Sequence, residues 1–504
     1  MIRLASRRRF LWHTAATGVV CGLSDLRFLS RLPAVSAAET RLPAGAVSLR
    51  PEIEPLVRLL EATPQARVLE EVAARVRRGL EYRELLAALL LAGVRNIQPR
   101  PVGFKFHAVL VVNSAHLASL ASPGPDRWLP IFWALDYFKQ SQDRDAGEGD
   151  WTMGPVSESA VPGAARARRA FVEAMDDWNE AAADAAVAGL VRTTEPREIF
   201  DLLCRYGARD LRDIGHKAIF VANGWRTLQY IGWPHAEPVM RSLAYALLFH
   251  EGDNPSRRDA GPDRPWRRNA TLVAKVRGDL RPGNPNVAAT SELLSVLRTA
   301  SSEQACDAVV DQLARGLGTQ PIWDGLLLGG GELLMRRPGI VSLHAVTTAN
   351  ALYYAFRNSG DEETRKLLLL QAAAFHTMFR GDRTEGIEID RLEPLPTSAK
   401  GPEALTEIFA DISRDRMTAA RKVLTCLRDD PRPEGLMAAA RRLVFLKGTG
   451  SHDYKFSSAV FEDCYRVSEV WRARHLAASV FNLSGSEGPD NELVGRTREA
   501  FRGA

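Results

Sequence analysis

Three short segments of the chain place a histidine at the head of an apolar stretch and an asparagine six or seven residues later. They are Phe106–Asn113 (FHAVLVVN), Gly215–Asn223 (GHKAIFVAN) and Leu343–Asn350 (LHAVTTAN). A neutral imidazole offers one hydrogen-bond donor and one acceptor, and it is a common metal ligand. Histidines that converge from three such segments could bind a metal, polarise a carbonyl group or move a proton.

The histidines of these segments, His107, His216 and His344, are therefore the candidate catalytic residues. The alternative is that each one is a core or capping residue satisfied by nearby backbone. Their recurrence favours a site, because three imidazoles on inward helix faces are costly to bury without partners. A shared site requires the three rings to lie within about 10 Å of one another, since metal bonds reach only about 2 Å.

Four further residues are candidate binding residues around these histidines. Asn113 and Asn350 end two of the segments and offer both donors and acceptors, and His116 follows Asn113 by three residues on the same helical face. Asp213 precedes His216 by three residues, close enough to orient the imidazole through Nδ1. Such a set would hold an oxygen-bearing ligand without any net charge.

Established metal and nucleophile motifs give no further guidance. The chain has no HExxH, CxxCH or paired ExxH pattern, no GxSxG elbow, and no CxxC pair among its five cysteines. The spacing of the three histidines is too wide to identify a metal from sequence. The identity of any metal or organic cofactor is therefore left open.

The elements that must position these residues are predicted to be helices. Apolar residues recur at helical spacing, and helices repeatedly begin near proline and end at glycine, as in the segment that opens with Thr63 as N-cap and stops at Gly79. Further helices are predicted near Leu343–Arg357, Glu362–Arg380, Arg414–Asp429 and Glu434–Leu446.

The predicted fold class is all-α, with antiparallel helical hairpins forming one large domain over residues 39–504. A solenoid- or ring-like arrangement and a compact irregular bundle are the two alternatives. The best strand candidate is short, Thr271–Gly278, and the loop over residues 381–402 is a candidate sub-boundary.

The net charge of +5 resides in the first 38 residues, which hold six arginines and one aspartate. The remainder carries 60 basic and 60 acidic residues, so it lacks the basic excess of a nucleic-acid-binding protein. The body contains no apolar run long enough for an integral membrane segment.

Residues 1–38 resemble a twin-arginine export signal. Ser6–Leu11 reads SRRRFL, a weakly apolar region follows, and AVSAAE offers small residues for cleavage near Ala37 or Ala38. The resemblance implies the twin-arginine translocase as a partner and a periplasmic or secreted location. This route carries proteins that have already folded, often because a cofactor is inserted first.

The segments FHAVLVVNSAHLASL and HAVTTANALYYAF resemble the questin-oxidase-like proteins, which are largely helical and contain histidine-headed helices. The resemblance covers about 50 residues in pieces. It implies an oxygen-inserting oxidoreductase that acts on aromatic polyketides, with His107, His216 and His344 in the corresponding positions. An export leader is not expected in the fungal members of that family.

Two functions follow from these features. The first is an exported small-molecule enzyme, an oxidoreductase with a histidine-lined pocket. The alternative is a non-catalytic helical protein of the periplasm that binds a ligand or serves as a scaffold for a partner. A stoichiometric metal or chromophore in the purified protein would favour the enzyme.

Replacing Arg7 and Arg8 together by lysine should leave the protein in the cytoplasm, because the twin-arginine pair is the part of the leader that the translocase recognises. Cell fractionation with an antibody against the body would measure this. Arg31→Lys, which lies in the leader outside the motif, is the matched control. Normal periplasmic accumulation of the double variant would contradict the export prediction.

Overall fold

The computed structural model describes residues 45–276, 280–382 and 386–502, and the leader over residues 1–38 lies outside them. All regular secondary structure in the described ranges is helical, and none of it is strand. The all-α fold class is therefore confirmed. None of the helices in these ranges combines the length and apolar character that crossing a bilayer requires.

The helices of the first half, in chain order, are α1 Glu54–Ala62, α2 Gln65–Arg77, α3 Tyr82–Asn96, α4 His107–Leu110, α5 Val112–Leu120, α6 Leu129–Gly147, α7 Ala164–Asp176, α8 Glu180–Thr193, α9 Pro196–Gly207, α10 His216–Ile231 and α11 Ala236–Leu247. Those of the second half are α12 Arg264–Leu272, α13 Val287–Thr299, α14 Ser302–Ala314, α15 Thr319–Arg336, α16 Ile340–Asn358, α17 Glu362–Arg380, α18 Pro402–Ile412, α19 Arg416–Asp429, α20 Glu434–Lys447, α21 Ser451–Cys464, α22 Glu469–Ser479 and α23 Glu492–Arg502.

Local sequence signals account for several helix starts. The side chains of Asn179, Asp361 and Asp415 each accept a hydrogen bond from a backbone N–H in the first turn of the helix that follows. Ser301 and Gln304 form a reciprocal capping box at the start of α14. The helices predicted over residues 343–357, 362–380, 414–429 and 434–446 are present as α16, α17, α19 and α20.

Two local predictions are wrong. Thr63 does not cap α2: it ends α1, where its hydroxyl donates to the Leu59 carbonyl. The strand expected over Thr271–Gly278 is instead the end of α12 followed by a short 3₁₀ turn, and Gly278 lies outside the described residues. The buried side chains there, Leu272 and Val276, are four residues apart and Ala274 between them is exposed, whereas a strand would bury all three on one face.

Helix α16 lies at the centre of the domain and packs against α10, α15, α17 and α21. Helix α21 in turn packs against α5, and α5 packs against α6, so the two halves of the chain share one core. The last helix, α23, packs against α2, which brings the two ends of the described chain together. The result is one large compact domain.

The loop proposed as a sub-boundary does not separate two packing units. Helices on either side of residues 381–402 contact each other, α15 with α22 and α16 with α21. Ile389, within the loop, is buried, and its N–H donates to the Glu332 carboxylate in α15 at 2.8 Å. The loop is therefore fixed to the core.

A buried ion cluster joins α1 to α3 near the start of the described chain. The Arg95 guanidinium is 1% exposed and donates to both carboxylate oxygens of Glu61 and of Glu54, at distances of 2.7 to 3.0 Å. The pairing raises the pKa of Arg95 despite burial, which lowers it. Glu54 also accepts from the Arg58 guanidinium at 2.8 Å, whereas Arg95 is the cation that pairs with Glu61.

Arg95→Leu should lower the free energy of unfolding by about 3 kcal/mol, because it leaves the partly buried Glu61 carboxylate without its cation and Glu54 with Arg58 alone. Arg67→Leu is the matched control, since Arg67 forms an exposed pair with Glu71 four residues away and should cost less than about 1 kcal/mol. Urea unfolding followed by circular dichroism would measure both. Equal losses for the two variants would contradict the importance of the buried cluster.

Candidate metal centre

Four histidines meet in the interior of the domain: His107, His216, His344 and His452. One ligand atom from each lies within 4.8 Å of the other three. The rings of His216 and His344 are 4.3 Å apart between centroids, and that of His107 is 4.7 Å from His216. The three candidate catalytic histidines therefore lie together, and a fourth joins them.

His107 is the first residue of α4 and follows a 3₁₀ turn, Phe104–Phe106. Its Nδ1 lies 2.7 Å from the Phe104 carbonyl oxygen, three residues earlier. Gly103, just before the turn, has φ of +126°, and a Cβ there would lie 2.9 Å from the His216 ring. Glycine is required at this position both by its backbone conformation and by the close approach of the imidazole.

His216 is the first residue of α10 and follows a strained turn. Asp213, Ile214 and Gly215 all have left-handed backbone, with φ of 54°, 46° and 84°. This conformation is unfavourable for a β-branched residue such as isoleucine, at about 1–2 kcal/mol. The turn places the Asp213 carbonyl 2.7 Å from His216 Nδ1, so the backbone strain is located where it orients a ring of the cluster.

His344 lies one turn inside α16, and its Nδ1 is 2.6 Å from the Ile340 carbonyl oxygen in the first turn. The same helix also supports the strained turn before His216. The Thr348 hydroxyl contacts the Ile214 carbonyl at 3.4 Å, and a Cβ on Gly215 would lie 2.1 Å from Thr348 Oγ1. Close packing of Gly215 on α16 therefore fixes two histidines relative to each other.

In all three histidines Nδ1 faces a backbone carbonyl, which only accepts hydrogen bonds. Nδ1 must therefore carry the proton, and Nε2 of each neutral ring presents a lone pair. Burial lowers the pKa of His107, His216 and His344 well below its usual value, so the rings are neutral at pH 7.

The lone pairs point at one another. Nε2 of His216 lies 2.9 Å from Nε2 of His107 and 2.7 Å from Nε2 of His344. Two unprotonated nitrogens at such distances repel, whereas a cation between them attracts both. Two nitrogens bound to one metal at about 2.1 Å lie about 3.0 Å apart when the bonds meet at a right angle and about 3.4 Å apart at the tetrahedral angle, so the spacing found here is near the right-angle value.

His452, near the start of α21, is the member that the sequence analysis missed. Its Nε2 is buried and has no hydrogen-bond partner, and burial, followed by the nearby Lys455, lowers its pKa to about 3. The signal was present, because His452 also heads a helix two residues after a glycine, Gly450. It lacks the following asparagine on which the other three were recognised.

Lys455 is the second residue that the sequence analysis missed. It lies on α21 one turn after His452, is 3% exposed, and its Nζ is 3.3 Å from His216 Nε2. The described part of the chain gives it no salt bridge to a carboxylate. Burial lowers the pKa of Lys455 well below its usual value, which favours the neutral amine, and its nitrogen faces the cluster.

Two of the four candidate binding residues make polar contacts away from the cluster. His116 Nδ1 lies 3.2 Å from the Tyr82 hydroxyl. The Asn350 amide donates to the carboxylates of Glu462 and Asp463 at 3.0 and 2.9 Å, near the far end of α21. Asn113 is buried on α5.

Asp213 does orient His216, but through a different group from the one expected. The backbone carbonyl of Asp213 faces Nδ1, while its carboxylate accepts from the Val102 N–H at 3.1 Å. Burial raises the pKa of the Asp213 carboxyl to about 6. Its side chain therefore holds the segment before His107 in place, and its main chain orients His216.

The donor set of the cluster is four neutral imidazoles, without a carboxylate or thiolate from the described residues. Imidazole suits zinc, copper, iron and nickel, whereas magnesium and calcium prefer oxygen ligands. A backbone carbonyl that accepts from Nδ1 and so fixes the ring orientation is typical of metal-binding histidines. The arrangement is suited to a transition metal.

Comparisons with known proteins give no relative to guide the interpretation of this site. No family model, no curated protein and no solved structure matches the chain. The interpretation of the site therefore depends on its geometry.

Lys455→Met should raise the free energy of unfolding of the metal-free protein at pH 7. Folding lowers the pKa of this amine, although the amine is protonated in the unfolded chain below pH 10, so its presence costs stability there. The gain should diminish as the pH rises towards 10, where the unfolded amine also loses its proton. Chemical unfolding in the presence of a chelator at pH 7 and pH 10 would measure it.

Lys275→Met is the matched control, because Lys275 is exposed and should leave stability nearly unchanged at both pH values. A loss of stability in Lys455→Met, or a gain equal at the two pH values, would show that burial does not lower the pKa of Lys455.

Proposed function

We propose that the four histidines bind one redox-active transition metal ion and that the chain is an exported, metal-dependent oxidoreductase acting on a small molecule. The observation that carries the proposal is the convergence of the Nε2 atoms of His107, His216 and His344 at 2.7–2.9 Å, each with its lone pair directed inward. Such contacts are unfavourable between neutral rings and favourable around a shared cation.

Two features support iron or copper, and the donor set argues against a structural zinc site. It contains no thiolate, which most structural zinc sites use. The resemblance of the histidine-headed segments to the questin-oxidase-like proteins implies oxidation. An export signal of the twin-arginine type suits a protein whose cofactor is inserted before transport.

The bound ion would supply electron-transfer chemistry, and the chain supplies the setting for it. Backbone carbonyls of Phe104, Asp213 and Ile340 hold the rings in one tautomer and orientation. Burial of the cluster limits access of water. The Lys455 amine, 3.3 Å from His216 Nε2, is the group beside the site that could give up a proton, since burial lowers its pKa well below the usual value and favours release.

Protein purified from the periplasm should contain about one equivalent of iron or copper, because one cluster of ligands binds one ion. His344→Gln should lose most of it, since glutamine removes the ligand nitrogen and keeps a polar side chain. Elemental analysis by mass spectrometry and electron paramagnetic resonance would measure content and oxidation state. His116→Gln is the matched control, a buried histidine outside the cluster.

Two outcomes would contradict the proposal in different ways. Equal metal content in the two variants would show that the cluster is not the metal site. One equivalent of zinc, lost only in His344→Gln and not exchangeable for iron or copper, would retain the site and exclude the redox function.

A further inference from the structure

A second site is formed at the surface where the loop after α11 covers the end of α7. A cavity of about 460 Å³ opens there, large enough for a small organic molecule. None of the four clustered histidines lines it. Its walls contain two tryptophans, four arginines and three aspartates: Trp178, Trp266, Arg209, Arg257, Arg258, Arg267, Asp176, Asp259 and Asp263.

Arg209 forms the inner wall of the cavity. It is 5% exposed, and its hydrogen bonds go to the carbonyls of Met175 and Leu247, at 2.5 and 3.4 Å, rather than to a carboxylate. Its Nε has no partner, and its guanidinium lies 3.6 Å from the centroid of the Trp178 ring. A buried cation is thus held in place by neutral groups.

Burial lowers the pKa of Arg209 to about 10, so the side chain is still positively charged at pH 7. A charge in this position is costly to bury without a direct counter-charge. An anion in the cavity would remove that cost and stabilise the folded protein.

Two more arginines of the cavity lack a carboxylate partner. Arg257 is exposed, and its guanidinium makes no hydrogen bond or salt bridge to any described residue. Arg258 donates to the Glu251 carbonyl, and its Nε is buried without a partner. Three positive charges therefore face one space.

The acidic residues of the cavity do not cancel these charges. Arg212 pairs with Asp263, and Arg264 and Arg267 pair with Asp259. Asp176 accepts only from the neutral Tyr206 hydroxyl, so its charge offsets one of the three arginines. The unmatched charge of the site is therefore still positive.

We propose that this cavity binds a small organic anion, in which a carboxylate or phosphate group faces Arg209, Arg257 and Arg258 and a flat apolar part lies against Trp266. Arginine is suited to both groups, because its planar fork forms paired hydrogen bonds with either. The half-buried Trp266 ring supplies an apolar face at the rim of the same cavity. The site is independent of the metal centre.

Three probes distinguish the parts of this ligand: inorganic phosphate, benzoate and 2-naphthoate. Tryptophan fluorescence and thermal unfolding of the full chain, at low ionic strength, would measure binding. We expect saturable binding of 2-naphthoate that is at least tenfold tighter than that of benzoate or phosphate. Tighter binding of phosphate than of both aromatic acids would reassign the site to phosphate and overturn the role of Trp266.

Two variants connect the binding to the cavity. Arg257→Gln should weaken 2-naphthoate binding about tenfold without affecting the fold, since Arg257 is exposed and its side chain is unpaired. Trp266→Leu should remove the preference for the larger ring. Arg168→Gln, an exposed arginine on α7 about 12 Å along the helix from Asp176, is the control and should bind normally. Equal weakening by Arg257→Gln and Arg168→Gln, or no saturable binding of any probe, would overturn the proposal.

Discussion

Three hydrogen bonds from imidazole Nδ1 to backbone carbonyls determine how the buried histidine cluster of this protein is arranged. They fix the tautomers of His107, His216 and His344, and so direct three lone pairs at one point. Burial prevents the rings from relieving the repulsion by taking up protons, because it lowers the pKa of each. A cluster with these properties is stable around a cation and unfavourable without one.

The packing of the helices holds the histidine rings close together. Helix α16 carries His344 and packs against both α10, which begins at His216, and α21, which carries His452. The left-handed turn before His216 and the glycine before His107 bring the remaining backbone close enough for their carbonyls to reach the rings. An isoleucine at φ of 46° is an unfavourable choice for stability, and its position beside the cluster indicates that orientation of His216 is the reason.

Most of the helices could be predicted from the sequence, because apolar periodicity and capping residues indicate where helices lie. The recurrence of a histidine at a helix head identified three members of the cluster. His452 was not predicted, since it lacks the asparagine that follows the other three histidines. Lys455 was not predicted because nothing in the sequence indicates that this lysine is buried. Asn350 was associated with the site by its spacing from His344, yet it projects to carboxylates at the far end of α21.

The other features that the sequence does not predict have a common physical cause. Tertiary packing decides whether the side chain or the backbone of a residue makes a given contact. The spacing in sequence predicts that Asp213 lies beside His216. Whether its carboxylate or its carbonyl faces the ring depends on a strained backbone, which residue propensities do not predict. The same holds for the segment after Asn269, whose sequence resembles a strand. Its residues end α12 and form a 3₁₀ turn, with Leu272 and Val276 buried.

The central claim is that imidazole nitrogens from this cluster bind a single metal ion. X-ray absorption at the edge of the metal present in the purified protein tests it most directly. The account predicts a first shell of about four nitrogen-type scatterers near 2.1 Å, with the multiple-scattering pattern of imidazole and without a sulfur shell. A sulfur shell, a first shell without imidazole scattering, or failure of the protein to retain any transition metal would contradict it.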